Sequence, residues 1–284
     1  MSSIAYIADE NMLDYHRMHG STSINFWRVG IRNFENFEPG DFLFLIDGKY
    51  RHPQTREKGI VGYGVFKQMR EMSVKRTWNQ YKNDNGFKNY ERFKEAVLEL
   101  SKTDELPEKI QSIELSNVIY FNETIFMGEL GQSININLES FQYLSGEDTR
   151  KVLRKASHYG IDPWFQVYNP QVNKEKIIHD IEISRLRTVL EGVTTDWTQD
   201  QTRLINQYPA LSRVGNLAYL VKGDLVEVFI PVSSAKNQFY TVLGIIYKIK
   251  TEIQTKTQFT LVVRENARPY EEEFKKFNLK LLYT

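Results

Sequence analysis

The chain has 284 residues, 41% hydrophobic and 13% aromatic, enough to bury a core in each of two domains of ordinary size. Lys and Arg number 37 against 36 Asp and Glu, a formal net charge of +1, so no global field draws the chain to nucleic acid or membrane, and any such footprint is local. The lack of cysteine excludes disulfides, thiol catalysis and cysteine-ligated zinc, and fits a reducing compartment.

Ser3 to Ile7 reads as a first strand, and Glu10 to His19 as a short helix with Met12, Tyr15 and Met18 on one side. His16 and His19, three apart, offer half of a metal site on a helix, but a solvated helix end is the plainer reading. Phe26-Trp27-Arg28 comes next, followed by a Pro39-Gly40-Asp41 turn that opens a strand over Phe42 to Ile46. A second clear strand, Ile60 to Lys67, sets Gly62 and Gly64 on either side of Tyr63, where missing side chains let another backbone or a flat ligand come close. These segments read as a small β-barrel with a ligand pocket, and Trp27 and Tyr63 are candidates for stacking.

Asp47 to Gly59 reads as a polar loop holding Lys49, Arg51, His52, Arg56 and Lys58. Lys49 to Lys94 contains twelve Lys/Arg and four Asp/Glu, a local excess of eight positive charges. The interleaved Tyr50, Tyr63, Trp78 and Tyr81 add stacking faces to phosphate-pairing cations, the combination that nucleic acid uses. Phe87 to Ser101 is an amphipathic helix with Tyr90, Phe93, Val97 and Leu100 at helical spacing, and Ile113 to Phe121 alternates as a strand.

Asp162 to Asn173, with two prolines and two asparagines, reads as a connector. Glu175 to Glu191 is a helix with Ile178, Ile181, Leu186 and Leu190 inward. Strands then follow at Leu217 to Val221 and Leu225 to Ile230, a helix at about Asn237 to Lys250, a strand at Phe259 to Arg264, a helix at Tyr270 to Phe277 and a strand at Lys280 to Tyr283. That alternation is an α/β arrangement. Trp164 and Trp197 read as indoles pinning element junctions to a core, and Glu271-Glu272-Glu273 as acidic residues complementing a helix N-terminus. No run approaches the roughly 18 to 20 apolar residues that cross a bilayer, and the start lacks a signal pattern, so the expectation is a cytoplasmic protein with no membrane partner.

Asn25-Phe26-Trp27-Arg28, Phe37 to Phe44, Ile60 to Phe66, Thr77-Trp78 with Asn85-Gly86, the helix from Tyr90, Ile113 to Phe121 and Asn135 to Tyr143 fall in one order. That order resembles the PUA-like domains, of the EVE and YTH kind, that precede HNH nuclease domains in restriction-type proteins. The resemblance implies a barrel pocket for a modified, flipped-out base, with Asn25, Phe26, Trp27, Arg28, Tyr63 and Trp78 as base-binding candidates. Lys49, Arg51, Arg56 and Lys58 would hold phosphates. Tyr63 stands where the family often has another glycine, so its ring is expected to fill part of the pocket.

No HNH module follows. Phe239-Tyr240-Thr241-Val242-Leu243-Gly244 instead resembles a helix opening of the PD-(D/E)XK nucleases, and Val226-Glu227-Val228-Phe229 stands where Glu-x-Lys is expected. Hydrolysis in that fold needs two carboxylates on Mg²⁺ and a lysine on the attacking water. Phe229 does neither job, and Asn216 occupies the place of the first aspartate. Glu227, Asp224 and Glu182 remain as carboxylates, with Lys222 or Lys236 as a displaced lysine.

The expected architecture is therefore a two-domain α+β and α/β chain. A PUA-like β-barrel with flanking helices spans residues 1–160, and a small, degenerate restriction-endonuclease-like domain spans residues 174–284. The leading expectation is a DNA-binding protein of the phage-defence type that reads modified bases without a cofactor, as a homodimer or beside a partner nuclease. A Mg²⁺-dependent endonuclease with a rearranged site is the first alternative, and an RNA-binding or structural adaptor the second.

Overall fold

Each part of the chain builds its own β-sheet. The computed structural model describes residues 3–101, 105–132, 134–193 and 198–284, without the side chains of residues 235 and 236. The chain divides into two compact units, Met1–Ile178 and His179–Thr284.

The first unit runs β1 (Ser3–Ala8), α1 (Glu10–Met18), β2 (Ile24–Arg28), β3 (Phe42–Arg51), β4 (Lys58–Met72), α2 (Val74–Tyr81) and α3 (Tyr90–Ser101). It continues with β5 (Ile110–Ile125), β6 (Phe141–Leu144), α4 (Gly146–Tyr159) and α5 (Pro163–Tyr168). Among the described residues, these strands form one sheet in the order β2-β5-β4-β3-β1-β6, and within it only the β1 and β3 pair is parallel.

The turn before β3 forms as its chemistry dictates: Asp41 N–H bonds to Glu38 O at 2.9 Å, and Gly40 takes φ +96°. Phe42 to Ile46 is then buried without alternation, as in a strand covered on both faces. The polar stretch after it is not a long loop. β3 continues to Arg51 and β4 begins at Lys58, because the sequence stays extended until the His52 to Glu57 turn, where Arg56 N–H bonds to His52 O at 2.9 Å.

Three register shifts along the β4 and β5 pair mark bulges, which bend a strand and raise its twist. The sheet rolls far enough that Tyr6 of β1 meets Phe26 of β2 edge to face, 4.9 Å between ring centres, although four steps separate those strands in the sheet order. The segment after β2 seals the gap. Phe34 packs on Phe141 of β6 at 5.1 Å, and Glu35 N–H donates to Tyr143 Oη at 2.9 Å. Side chains rather than a further strand ladder therefore close the roll.

Gly62 makes its room for the backbone of β5 and Gly64 for side chains of β5. A Cβ on Gly62 would stand 2.5 Å from Ile119 O of β5, and one on Gly64 would stand 2.9 Å from Leu115 Cβ. On α1 the inward residues are Met12, Leu13 and His16, while Met18 is exposed. His16 is thus no solvated helix end: it is fully buried, and His19 lies on the Tyr15 ring at 4.1 Å. Between Asp162 and Asn173 the chain forms α5, N-capped by Asp162 with Pro163 in its first turn. Phe165 is the buried pin there, against Tyr120, whereas Trp164 faces outward at 56% exposure.

The helix α6 (Lys174–Val193) leads to α7 (Gln199–Asn206), β7 (Ser212–Val214), β8 (Leu217–Lys222), β9 (Leu225–Val232), α8 (Ala235–Glu252), β10 (Lys256–Val263), α9 (Glu271–Lys275) and β11 (Lys280–Tyr283). The second sheet has the order β11-β10-β9-β8-β7, parallel from β9 to β11 and antiparallel from β7 to β9. Strand alternation sends Val226, Val228, Ile230 and Val232 toward α6 and α8, and Phe229 with Ala218 and Val262 toward Leu204 and Ile205 of α7. Ile181, Leu186 and Leu190 of α6 are buried as expected, but Ile178 is 48% exposed. Trp197 lies outside the described residues. Among them, no helix is long and apolar enough to cross a membrane.

Candidate nucleic-acid interface

Where β2 rolls against β1, the first unit leaves a cleft of about 550 Å³. This is within the ordinary range for small-molecule sites, roughly 300 to 1,000 Å³. Tyr6, Phe26, Trp27, Met12 and Leu100 contribute its apolar lining, and Arg28, Arg32, Lys49, Glu10 and Glu139 contribute charge.

Arg28 ends β2 with its guanidinium 5.3 Å from the Tyr6 ring centre and 5.9 Å from that of Phe34. Its Nε and Nη1 atoms are buried and have no hydrogen-bond partner among the described residues. Burial pulls its pKa below the ordinary arginine value, with Tyr6 opposing and Arg32 reinforcing that shift. At the rim, Lys49 is exposed and pairs with Glu10, which raises the pKa of the lysine.

Of the base-binding candidates, Phe26, Trp27 and Arg28 line the cleft. Trp27 is only 5% exposed and is held by its own Nε1–H, which donates to Asn85 O at 3.0 Å, and by Phe93 at 5.1 Å edge to face. Asn25 is fully buried, donating to Asn85 Oδ1 at 2.8 Å and Ser112 Oγ at 3.2 Å. Tyr63 has no exposed surface and belongs to the core beside Phe42, Phe44 and Phe121. Trp78 is half-buried on α2 between Phe93 and Tyr90.

The four phosphate candidates share one hairpin but not one state. Arg51 donates to the carbonyl of Arg56 at 3.1 Å, Lys58 is buried with its ammonium on Leu138 O, and Arg56 is exposed. Burial first, then Arg51, lowers the Lys58 pKa. Glu57 between them is buried and accepts from Gly128 N at 3.0 Å and Ile134 N at 3.1 Å.

The sequence pointed to Trp27 and Arg28 but not to Tyr6, Arg32 or Leu100. Tyr6 and Leu100 carry ordinary strand and helix spacing, and nothing local signals that the sheet brings them to β2.

In the second unit, Glu227 accepts from Lys222 Nζ at 2.7 Å and from Thr260 Oγ1 at 2.6 Å. Burial pushes its carboxyl up, but these two hydrogen bonds together with the charges of Lys222 and Lys280 outweigh burial and leave it below the usual range. Glu227 lies between Val226 and Val228, so it takes the face opposite the one covered by α6, the helix that carries Glu182. Asp224 is exposed in the turn between β8 and β9, Asn216 accepts from Thr202 Oγ1 at 3.2 Å, and the Lys236 side chain lies outside the described residues. Among the described residues, no three His, Cys, Asp or Glu side chains gather as a metal site.

No family model matches the chain, and no curated protein does. A solved structure of ASCH from Zymomonas mobilis is similar over 54% of this chain and 94% of its own, with 15% identity and a TM-score of 0.37. Two structures of single-substitution mutants of that same protein cover 54% of this chain, at 12% and 14% identity, with TM-scores of 0.38 and 0.37. A likeness of this degree says nothing about activity.

Proposed function

We propose that the chain is a nucleic-acid reader whose first unit accepts an extruded, modified base in the cleft between β1 and β2, with duplex DNA as its partner. The observation that carries this reading is the guanidinium of Arg28, held against two aromatic rings beside an open cleft, with its Nε and Nη1 donors unpartnered among the described residues. A buried donor without an acceptor is costly, and the edge of a base supplies acceptors. Leu100, half-exposed above the buried Phe26 and Trp27, offers an apolar surface to the flat face of a base. The ordered resemblance to PUA-like domains supports the same reading. The exposed Arg56, and Lys49 on leaving Glu10, would contact phosphates, while the buried Lys58 is given to the fold.

The test is equilibrium binding of the full chain to duplexes that differ in one base modification, with single-stranded RNA as competitor at matched salt. A preference of about tenfold or more for a modified duplex supports the reading; equal affinity for every duplex overturns it.

For the second unit we infer a role in association rather than cutting. Glu227 is already engaged by Lys222 and Thr260, and the helix bearing Glu182 covers the other face of the sheet. Cleavage of DNA in Mg²⁺ or Mn²⁺ that is lost in Glu227→Ala would overturn this and restore the nuclease alternative.

A further inference from the structure

The charge on Arg28 is not balanced by the acids that share its cleft. Asp9 caps α1 by accepting from Met12 N at 3.0 Å, Glu10 pairs with Lys49, and Glu139 acts on the Lys58 ammonium. A second cation, Arg32, stands near enough to reinforce the lowering of the Arg28 pKa. A neutral acceptor would satisfy the N–H groups yet leave the charge unpaired; an anion would satisfy both.

Access decides what kind of anion fits. Nε and Nη1 have essentially no exposed surface, so an anion has to come in from the Nη2 side and be narrow, which a backbone phosphodiester with a sugar on each side is not. Nη2 lies beside Gly30 of the cleft wall, where a Cβ would stand 3.3 Å from it. A thin, planar group entering edge-on meets the guanidinium there, on the side of β2 that Arg28 shares with Phe26 and Tyr6.

We infer that the modification read by this cleft is anionic, a base carrying a carboxylate, paired with Arg28 and supported by Arg32. This rests on the cleft being a base pocket, and it deepens that reading by naming the chemistry of the modification. A methylated base would fill the apolar wall and leave the guanidinium charge uncompensated.

The experiment compares three otherwise identical duplexes, bearing cytosine, 5-methylcytosine or 5-carboxycytosine at one central position, against the wild-type chain and Arg28→Gln. The expected result is that wild type binds the carboxylated duplex at least about tenfold tighter than the other two, with the preference falling to within about twofold in Arg28→Gln. Methylcytosine bound as tightly as carboxycytosine overturns the inference and leaves the base pocket standing. No discrimination among the three overturns both. A carboxylate preference that survives in folded Arg28→Gln removes Arg28 from the role, and if that variant does not fold, the wild-type ratios alone decide.

Discussion

His16 is buried on α1, and its ring is held neutral, with a pKa lowered to about 3 by burial first and His19 second, the Asp84 backbone opposing. In the unfolded chain the same ring titrates near ~6.5. The unfolded state therefore takes up a proton that the folded state refuses, and the stability due to this residue is whole above about pH 6.5 and drains as pH falls toward 3. Urea unfolding should show a loss of about 2 kcal/mol between pH 7.5 and pH 5 in the wild type, and a clearly smaller loss in His16→Leu. An unchanged loss in that variant would assign the titration elsewhere. Trp27 raises a related point, since it both lines the cleft and packs beneath it. Trp27→Ala should cost roughly 3 to 5 kcal/mol as a core truncation, so weak binding in it would report unfolding. Trp27→Phe loses the bond to Asn85 O and part of the ring volume, keeps an aromatic side chain, and should cost about 1 to 3 kcal/mol by chemical denaturation.

At the scale of elements, the closest fit is the β4 and β5 pair. Gly62→Ala would drive a Cβ into Ile119 O, and because the obstacle is backbone, the variant should lose at least about 2 kcal/mol or fail to fold, as read by its thermal midpoint. The Glu57→Gln exchange keeps one carbonyl acceptor where two carboxylate oxygens serve the amides of Gly128 and Ile134, and should cost about 1 to 3 kcal/mol. The strand entry at Pro39-Gly40-Asp41 was legible because turn chemistry is local. The Gly62-Tyr63-Gly64 motif was legible as a close approach, but whether backbone or ligand filled the space depended on β5, a strand distant in sequence. The helix α2 and the capped α5 went unread, since both are short and α2 carries few apolar residues. The closure of the sheet could not be read at all: it depends on Tyr6 meeting Phe26 across a roll set by bulges.

Over the whole molecule, the local positive excess is smaller in space than in sequence. Lys49 is answered by Glu10, and Lys67 and Gln68 by Glu114, acids that lie outside the basic stretch. A window count cannot see partners that folding brings from elsewhere. Exposed pairs of this kind contribute little to stability, and they thin the field available to phosphates. What the fold provides instead is a cleft with a partly buried cation, the feature on which the proposed reader function rests. Leu100 tests it with the least disturbance, because it lines the cleft from α3 yet is 52% exposed, so a substitution there spares the core. The decisive measurement is the affinity of Leu100→Glu for the preferred modified duplex, taken beside its thermal midpoint. The added carboxylate at the rim should weaken binding by about tenfold or more while the midpoint stays within about 2 °C of wild type; wild-type affinity in that folded variant would rule out the cleft as the base site.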